Sequence, residues 1–325
     1  MINNFILPTT DLVYIKNSLS NEINNLKKKH IMITGGTGLF GRWLLIFFSY
    51  LNYKYNYQIQ IFVIIRKTNK NLNFLKKLEN LFNVNIVALT IENYKFFKFK
   101  KKIDYFFHFA SFSKDTKNWY EEHFHFSIIE LKNLLNFFSK KINYFIFSSS
   151  GAANYLFTNN PKKDFYAECK RMSEQILKIY SLKFKFKLRI ARCYSFYGKF
   201  LDKKLYAIAN FLDAVEKKKA ITLNSNGNSL RSYLHMSDLI IWFIKLIFLG
   251  KQDYIYNFGS DQKIKIKDLA KKIVILSKKK IAVKINKNNK SKFDYVPCIK
   301  ATKKHLQIKK FLSLDKILKN FFKYN

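Results

Sequence analysis

Apolar residues recur at helical intervals near the start of the chain: Leu12, Ile15, Leu19, Ile23 and Leu26 mark one face of a segment, residues 10–29, that reads as a leading amphipathic helix. From His30 the pattern becomes short apolar runs alternating with helix-length segments. It predicts strands at 31–34, 59–65, 84–90, 103–109, 142–148 and 186–193, and helices at 39–51, 70–82, 117–139 and 164–180. Strands separated by helices specify a parallel sheet covered on both faces, so the predicted fold class is α/β, a Rossmann-type doubly wound parallel sheet. After Gly198 the elements shorten to a helix near 203–218, a turn at 224–228, a strand at 230–235 and a helix at 237–249. The expected organisation is therefore a leading helix (1–29), a Rossmann domain (30–200) and a smaller C-terminal substrate-binding lobe (201–325), with about 237–259 returning to the first domain.

One corner of this pattern carries a chemical signal. Four of the nine glycines fall within residues 35–41, between the apolar run Ile31–Ile33 and the helical segment that begins near Leu39. A strand-to-helix turn without Cβ atoms lets the backbone approach a pyrophosphate, while the helix N-terminus offers free N–H groups and partial positive charge. The loop therefore reads as a dinucleotide cradle, and the Rossmann domain as NAD(P)-binding.

Composition narrows the alternatives. A chain of 325 residues that is 48% hydrophobic can bury one large core or two smaller ones. Three widely spaced cysteines, Cys169, Cys193 and Cys298, form no paired motif, which argues against a disulfide framework or a zinc site and fits a reducing cytoplasm. Residues Met1–Lys16 lack the pattern of a signal peptide, and the longest apolar run, Ile240–Leu249, is interrupted by Lys245, so no membrane partner is expected. The formal charge of +39 admits an RNA-binding protein on the same fold as a rival reading. Six arginines against 54 lysines, however, with Asn, Ile, Phe and Tyr abundant, is the signature of AT-rich coding, and it favours a solvated basic surface over a nucleic-acid face. The scarce arginines then become informative, because lysine cannot reproduce their planar fork.

Three further stretches bear on chemistry. At the end of the second predicted strand, where an acidic residue would meet the ribose 2′-hydroxyl of NAD, this chain has Arg66-Lys67, which suits a 2′-phosphate. NAD or NADP is thus the expected cofactor, with Arg66 tilting the choice toward NADP. Tyr166 and Lys170 stand four apart in a helical segment and so share a face. An ammonium beside the phenol, with the positive nicotinamide of an oxidised cofactor, is expected to pull the tyrosine toward the working pH and let it serve as general base or acid. Ser148-Ser149-Ser150 ends the preceding strand, at the sheet edge where open α/β sheets hold ligands.

Together these features resemble the extended short-chain dehydrogenase/reductases, the NAD-dependent epimerase/dehydratase family that acts on nucleotide sugars. The stretches that carry the resemblance are TGGTGLFG at 34–41, FFHFAS at 106–111, SSSGA at 148–152, YAECK at 166–170, ARCYSFYG at 191–198 and LRSYLHMSDL at 230–239. The resemblance implies that Gly35, Gly38 and Gly41 take the cofactor pyrophosphate, that Leu39 and Phe40 between them also bind the cofactor, and that Ala110 lies along it with Lys170 in contact. It implies a catalytic trio of Ser150, Tyr166 and Lys170, and substrate contacts from Ser150, Ser195 and Arg231, the last gripping the diphosphate. Two departures bear on activity. Gly151-Ala152 replaces the Asp-Glu of the 4,6-dehydratases, which disfavours dehydration, and Ser195 replaces a frequent Asn. The implied function is a cytoplasmic nucleotide-sugar oxidoreductase acting at hexose C4 in surface-polysaccharide synthesis, with reduction of a 4-keto-6-deoxy sugar preferred to 4-epimerisation. Its expected partners are a nucleotide-diphosphate sugar and a second copy of the chain. Metal is not expected: His123 and His125, two apart on a helix, face different sides.

Overall fold

The computed structural model describes residues 6–324 except 20, 113–115, 156–159, 204–205, 287 and 290–292. The chain divides into two compact units, Met1–Cys193 with Ile240–Tyr256, and Tyr194–Leu239 with Asn257–Asn325.

In the first unit, runs rich in β-branched and aromatic residues form the strands β1 (His30–Thr34), β2 (Gln60–Ile65), β3 (Ile86–Thr90), β4 (Ile103–His108), β5 (Ile142–Ser150) and β6 (Lys187–Cys193). Their pairings are parallel, and the sheet order is the strand Ile255–Phe258, then β6, β5, β4, β1, β2 and β3. The chain thus winds outward from β1 through β2 and β3, then returns to β4 on the other side. The order reverses between β1 and β4, the crevice where such sheets bind ligands. Register aligns Thr34 with Ile64 and His108, and His108 with Phe147, so the carboxyl ends of four strands share one edge.

The helices are α1 (Thr9–Ser18), α2 (Leu39–Tyr55), α3 (Asn69–Phe82), α4 (Trp119–Phe124), α5 (Glu130–Phe138) and α6 (Pro161–Phe184). Local chemistry sets their ends. The Thr68 hydroxyl caps α3 by accepting from the Asn71 N–H, and the Asn160 side chain caps α6 by accepting from the Lys163 N–H ahead of Pro161. Both α3 and α6 stop at a residue in the left-handed region, Asn83 and Lys185. Met32, Phe106 and Phe145 face α5 and α6 in one apolar layer with Leu135, Phe138 and Leu177. On the opposite face Phe107 meets Phe48 of α2.

Three elements differ from the sequence expectation. The leading helix covers only Thr9–Ser18; Leu19 is extended and Asn21–Leu26 follows as a 3₁₀ turn, in a stretch where Asn17, Asn21, Asn24 and Asn25 are weak helix formers. Its apolar stripe nevertheless stays buried throughout. The helix expected at 117–139 contains a π turn, His125–Ile129, between α4 and α5. The strand expected at 230–235 is two short strands. Leu230–Arg231 pairs antiparallel with Ile264–Lys265, while Leu234–His235 pairs parallel with Phe196–Tyr197.

The second unit is built on helices Ala207–Glu216 and Ile266–Ser277, which pack together, and on the parallel pair Ile221–Leu223 with Val283–Ile285. The lysine/asparagine stretch 278–292 and the start of the helix expected at 203–218 fall partly outside the described residues. Among the described residues no helix is long and apolar enough to cross a membrane, and no group of three His, Cys, Asp or Glu could hold a metal ion.

Candidate active site

The glycines after β1 divide by what a side chain would meet. Gly35 has φ +71°, and a Cβ there would lie 2.6 Å from Ala110 N and 2.7 Å from the Phe109 carbonyl carbon, so the loop rests directly on the backbone leaving β4. A Cβ on Gly41 would fall 2.3 Å from Gly35 O and 2.4 Å from Gly36 Cα, which is how closely the first turn of α2 sits on the loop. Gly38 differs. It is exposed, and its Cβ would meet only Gly35 O at 3.2 Å. It is also the N-cap of α2 and supplies no side-chain cap, which suits an N-terminus that receives a ligand anion. Packing within the chain therefore requires Gly35 and Gly41, whereas Gly38 leaves an open cradle that a methyl group would fill.

The corner is braced from beneath. The Phe109 N–H donates to Thr34 O at 3.1 Å and the Ala110 N–H to Thr34 Oγ1 at 3.4 Å. Thr34 Oγ1 also bonds His108 Nδ1 at 2.7 Å, and Ser148 Oγ donates to His108 O at 3.3 Å. Burial, with the charge of Lys170 as the lesser cause, lowers His108 to about 3 and keeps it neutral. Phe40 packs against Phe109 and Phe243, with ring centroids 5.8 and 6.1 Å away, while Leu39 and Phe40 are half-buried and Ala110 is exposed. Arg66 is exposed just past β2, and its carbonyl accepts from Asn71 Nδ2 at 2.9 Å.

Along the same edge β5 delivers Ser150 and α6 delivers Tyr166 and Lys170. Ser150 Oγ accepts the Ala152 N–H at 3.2 Å and is hydrogen-bonded to the Tyr166 phenol. Lys170 is 5% exposed; its Nζ donates to Ser148 O at 3.3 Å and stands 5.1 Å from the Phe147 ring centroid and 5.9 Å from that of Tyr166. Burial brings Lys170 down to about 8. The expectation for Tyr166 joined Lys170 to the positive charge of an oxidised nicotinamide, and of the two only Lys170 belongs to the protein. In the protein alone burial pushes the phenol up, and the bond to Ser150 only partly opposes this. The Lys170 ammonium is committed to a backbone carbonyl and aromatic faces, so desolvation outweighs it.

Neighbours that local sequence does not reveal complete the cluster. His123 is buried, stacks on Trp119 at 4.8 Å and lies 5.3 Å from the Tyr166 ring; burial holds it near 4. Glu174, also buried, binds Ser149 and Arg192. A polar residue closing an apolar strand was the available signal for His108, and the rarity of arginine was the signal for Arg192 and its partner Glu174.

Ser195 and Arg231 belong to the second unit. The Ser195 carbonyl accepts the Leu234 N–H at 3.1 Å. Arg231 Nη1 donates to Leu230 O at 2.8 Å and to Phe293 O, and its guanidinium lies 5.9 Å from the Phe293 ring centroid.

A model of the NAD dependent epimerase/dehydratase family matches residues 31–259. Among curated proteins the chain is similar to the dTDP-D-glucose 4,6-dehydratase of Dictyostelium discoideum, at 26% identity over 299 residues that cover 79% of this chain and 64% of that protein. The Homo sapiens protein of the same name matches at 26% over 115 residues, 35% of this chain and 32% of that one. The chain thus spans less than two thirds of the length of these curated relatives. Among solved structures it is similar to the UDP-N-acetylglucosamine 4-epimerase of Methanobrevibacter ruminantium in complex with UDP-N-acetylmuramic acid, with a TM-score of 0.74, 17% identity, and 92% and 98% of the two chains covered. It is also similar to the UDP-glucuronic acid 4-epimerase of Bacillus cereus in complex with NAD, with a TM-score of 0.72, 18% identity and coverage of 91% and 96%. At these identities the structural likeness shows the shared fold.

Proposed function

We propose that this chain, which belongs to the NAD dependent epimerase/dehydratase family, carries out hydride transfer at C4 of a nucleotide-linked hexose, with Ser150, Tyr166 and Lys170 at the reacting carbon. One observation carries the reading: the linked Ser150 and Tyr166 hydroxyls, with Lys170 one helical turn away, stand on the same sheet edge as an open glycine cradle. When bound, the nicotinamide supplies the hydride acceptor or donor and, oxidised, a positive charge that favours the Tyr166 phenolate.

The Tyr166 oxygen takes the proton of the C4 hydroxyl as that carbon is oxidised and returns it when a 4-keto group is reduced. Ser150 Oγ, beside that phenol, turns its single proton to the same substrate oxygen once substrate is bound and orients it. Lys170 holds positive charge beside the phenol ring. Gly38 and the first turn of α2 would receive the cofactor pyrophosphate, and Arg66 at the end of β2 a ribose 2′-phosphate, which favours NADP and with it net reduction of a 4-keto-6-deoxy sugar. Although the curated relatives are named dehydratases, elimination finds no support beyond Ser150, where Gly151 and Ala152 carry no acid or base. The buried carboxylate nearby, Glu174, is committed to Arg192 and Ser149.

The test is a panel of UDP- and dTDP-hexoses and their 4-keto-6-deoxy derivatives, supplied with NAD, NADP or their reduced forms, with products identified by mass spectrometry and NMR. Tyr166→Phe is expected to lower turnover at least about 10²-fold while dinucleotide binding persists. Unchanged turnover in that variant sinks the mechanism.

A further inference from the structure

Two of the six arginines converge on the turn that follows β5. Arg192 of β6 is the register partner of Ser149. It grips Glu174 of α6 with two nitrogens, Nε to Oε1 at 2.9 Å and Nη2 to Oε2 at 2.6 Å, and the Ser149 hydroxyl donates to the same Oε1 at 2.5 Å. The remaining nitrogen, Nη1, donates to the side-chain oxygen of Asn154. This pair is enclosed, with Glu174 1% and Arg192 17% exposed at the side chain. Arg171, next to Lys170 on α6, sends Nη1 to the carbonyls of Ala153 at 3.0 Å and Tyr155 at 2.9 Å, while its other nitrogens hold Glu168.

Ser150 rides on a strand end, whereas Tyr166 and Lys170 ride on a helix, and neither element's own hydrogen bonds set the distance between them. The Ser149–Glu174–Arg192 knot ties strand to helix one residue from Ser150 and one helical turn from Lys170. Asn154 and Arg171 then fasten the turn whose Ala152 N–H donates to Ser150 Oγ. Each role needs divergent, planar donors, which a lysine ammonium lacks. In a chain that otherwise uses lysine nine times out of ten, the fork at these two positions points to geometry rather than charge.

We infer that Arg192 and Arg171, acting through Glu174 and Asn154, are positioning residues that set Ser150 against Tyr166 and Lys170. The inference rests on the proposed role of that trio, and the experiment separates the two. Arg192→Lys, Arg171→Lys, Asn154→Ala, the double variant Arg192→Lys/Asn154→Ala and Tyr166→Phe are compared with the parent. Readouts are kcat and KM on the panel sugar that the parent turns over fastest, the dissociation constant for NAD, and the thermal midpoint. Arg192→Lys is expected to lower kcat about ten- to a hundredfold, the scale of a small misplacement at a reacting centre, with KM and NAD affinity within about twofold of the parent. Arg171→Lys should do the same more weakly. Asn154 is exposed, so Asn154→Ala should keep the parent's thermal midpoint yet lose about three- to tenfold in kcat. Because its contact passes through Arg192, the double variant should be no worse than Arg192→Lys alone. If Arg192→Lys fails to fold, Asn154→Ala decides. A parent kcat in Asn154→Ala and in every folded arginine variant, with Tyr166→Phe inactive, overturns this inference and leaves the trio standing. An active Tyr166→Phe, or a parent that turns over none of the panel sugars, overturns the trio and this inference with it.

Discussion

If the glycine corner works as its geometry indicates, alanine at Gly35 and at Gly38 should fail in different ways. At Gly35 the methyl group meets two costs. An L-residue at φ +71° costs roughly 1–2 kcal/mol relative to glycine. Its Cβ would then stand 2.6 Å from Ala110 N and 2.7 Å from the Phe109 carbonyl carbon, backbone atoms tied to Thr34 by two hydrogen bonds. Overpacking of that kind adds about 1–3 kcal/mol, so Gly35→Ala should lose about 2–5 kcal/mol out of a typical total of about 5–15. At Gly38, φ is −80° and the nearest atom is 3.2 Å away, so the apoprotein should stay within about 1 kcal/mol of the parent. The same methyl group, however, would sit over the uncapped N-terminus of α2, where a phosphate oxygen must reach backbone N–H groups. Losing one charge-assisted hydrogen bond there is worth about 1.5–3 kcal/mol, or about a ten- to hundredfold weaker dissociation constant. Urea unfolding without cofactor and calorimetric titration with NAD measure the two effects separately. A Gly38→Ala protein that binds NAD as tightly as the parent would remove this loop from the cofactor site. Unchanged unfolding in Gly35→Ala would show that the loop does not rest on the β4 exit as described.

Three further outcomes follow from single groups. Arg66→Ala should weaken NADP by roughly 1.5–3 kcal/mol and leave NAD nearly unchanged, as read by titration, and equal losses for both would make Arg66 only a solvated cation. Arg231→Lys should raise the dissociation constant for UDP- and dTDP-sugars at about 0.15 M salt, where screening leaves direct contacts but mutes a general basic field; equal affinity would withdraw Arg231 from the substrate site. Burial is the largest cause that holds His108 near 3 and His123 and His235 near 4, against 6.5 for the free side chain. Above pH 6.5 both folded and unfolded chains are neutral at these positions. As pH falls from 6.5 toward 4 the unfolded chain takes up protons the folded one refuses, so stability falls, and His108→Gln should flatten urea-measured stability against pH by about 1.4 kcal/mol per unit. A slope equal to the parent's would mean that His108 is not held neutral.

Much of the architecture is legible because its causes are local. Alternation of apolar runs with helical stripes locates β1 to β6, since each strand and helix must bury one face whatever it packs against. The glycine corner is visible because a glycine cluster between strand and helix has few other uses, and the Tyr166–Lys170 pairing follows from the helical repeat alone. The ends of α6 were less legible: it runs Pro161–Phe184, capped by Asn160, against an expectation of 164–180.

Other features depend on partners remote in sequence. Thr34 and His108 meet because β1 and β4 are register neighbours, and Ser149, Glu174 and Arg192 meet because β5, β6 and α6 converge; no window of sequence contains either set. The π turn at His125–Ile129, whose Ser127 carbonyl accepts from Ser173 Oγ, and the split of the 230–235 strand follow from the contacts those residues make, which override a periodicity that reads as continuous. The titration of Tyr166 is the sharpest case. The helical repeat alone puts a lysine on its face, which argues for a lowered phenol. Folding buried both groups and turned the ammonium toward the Ser148 carbonyl, and burial moves the phenol the other way, because the cost of taking a charge out of water depends on everything that surrounds it rather than on the residue four positions along.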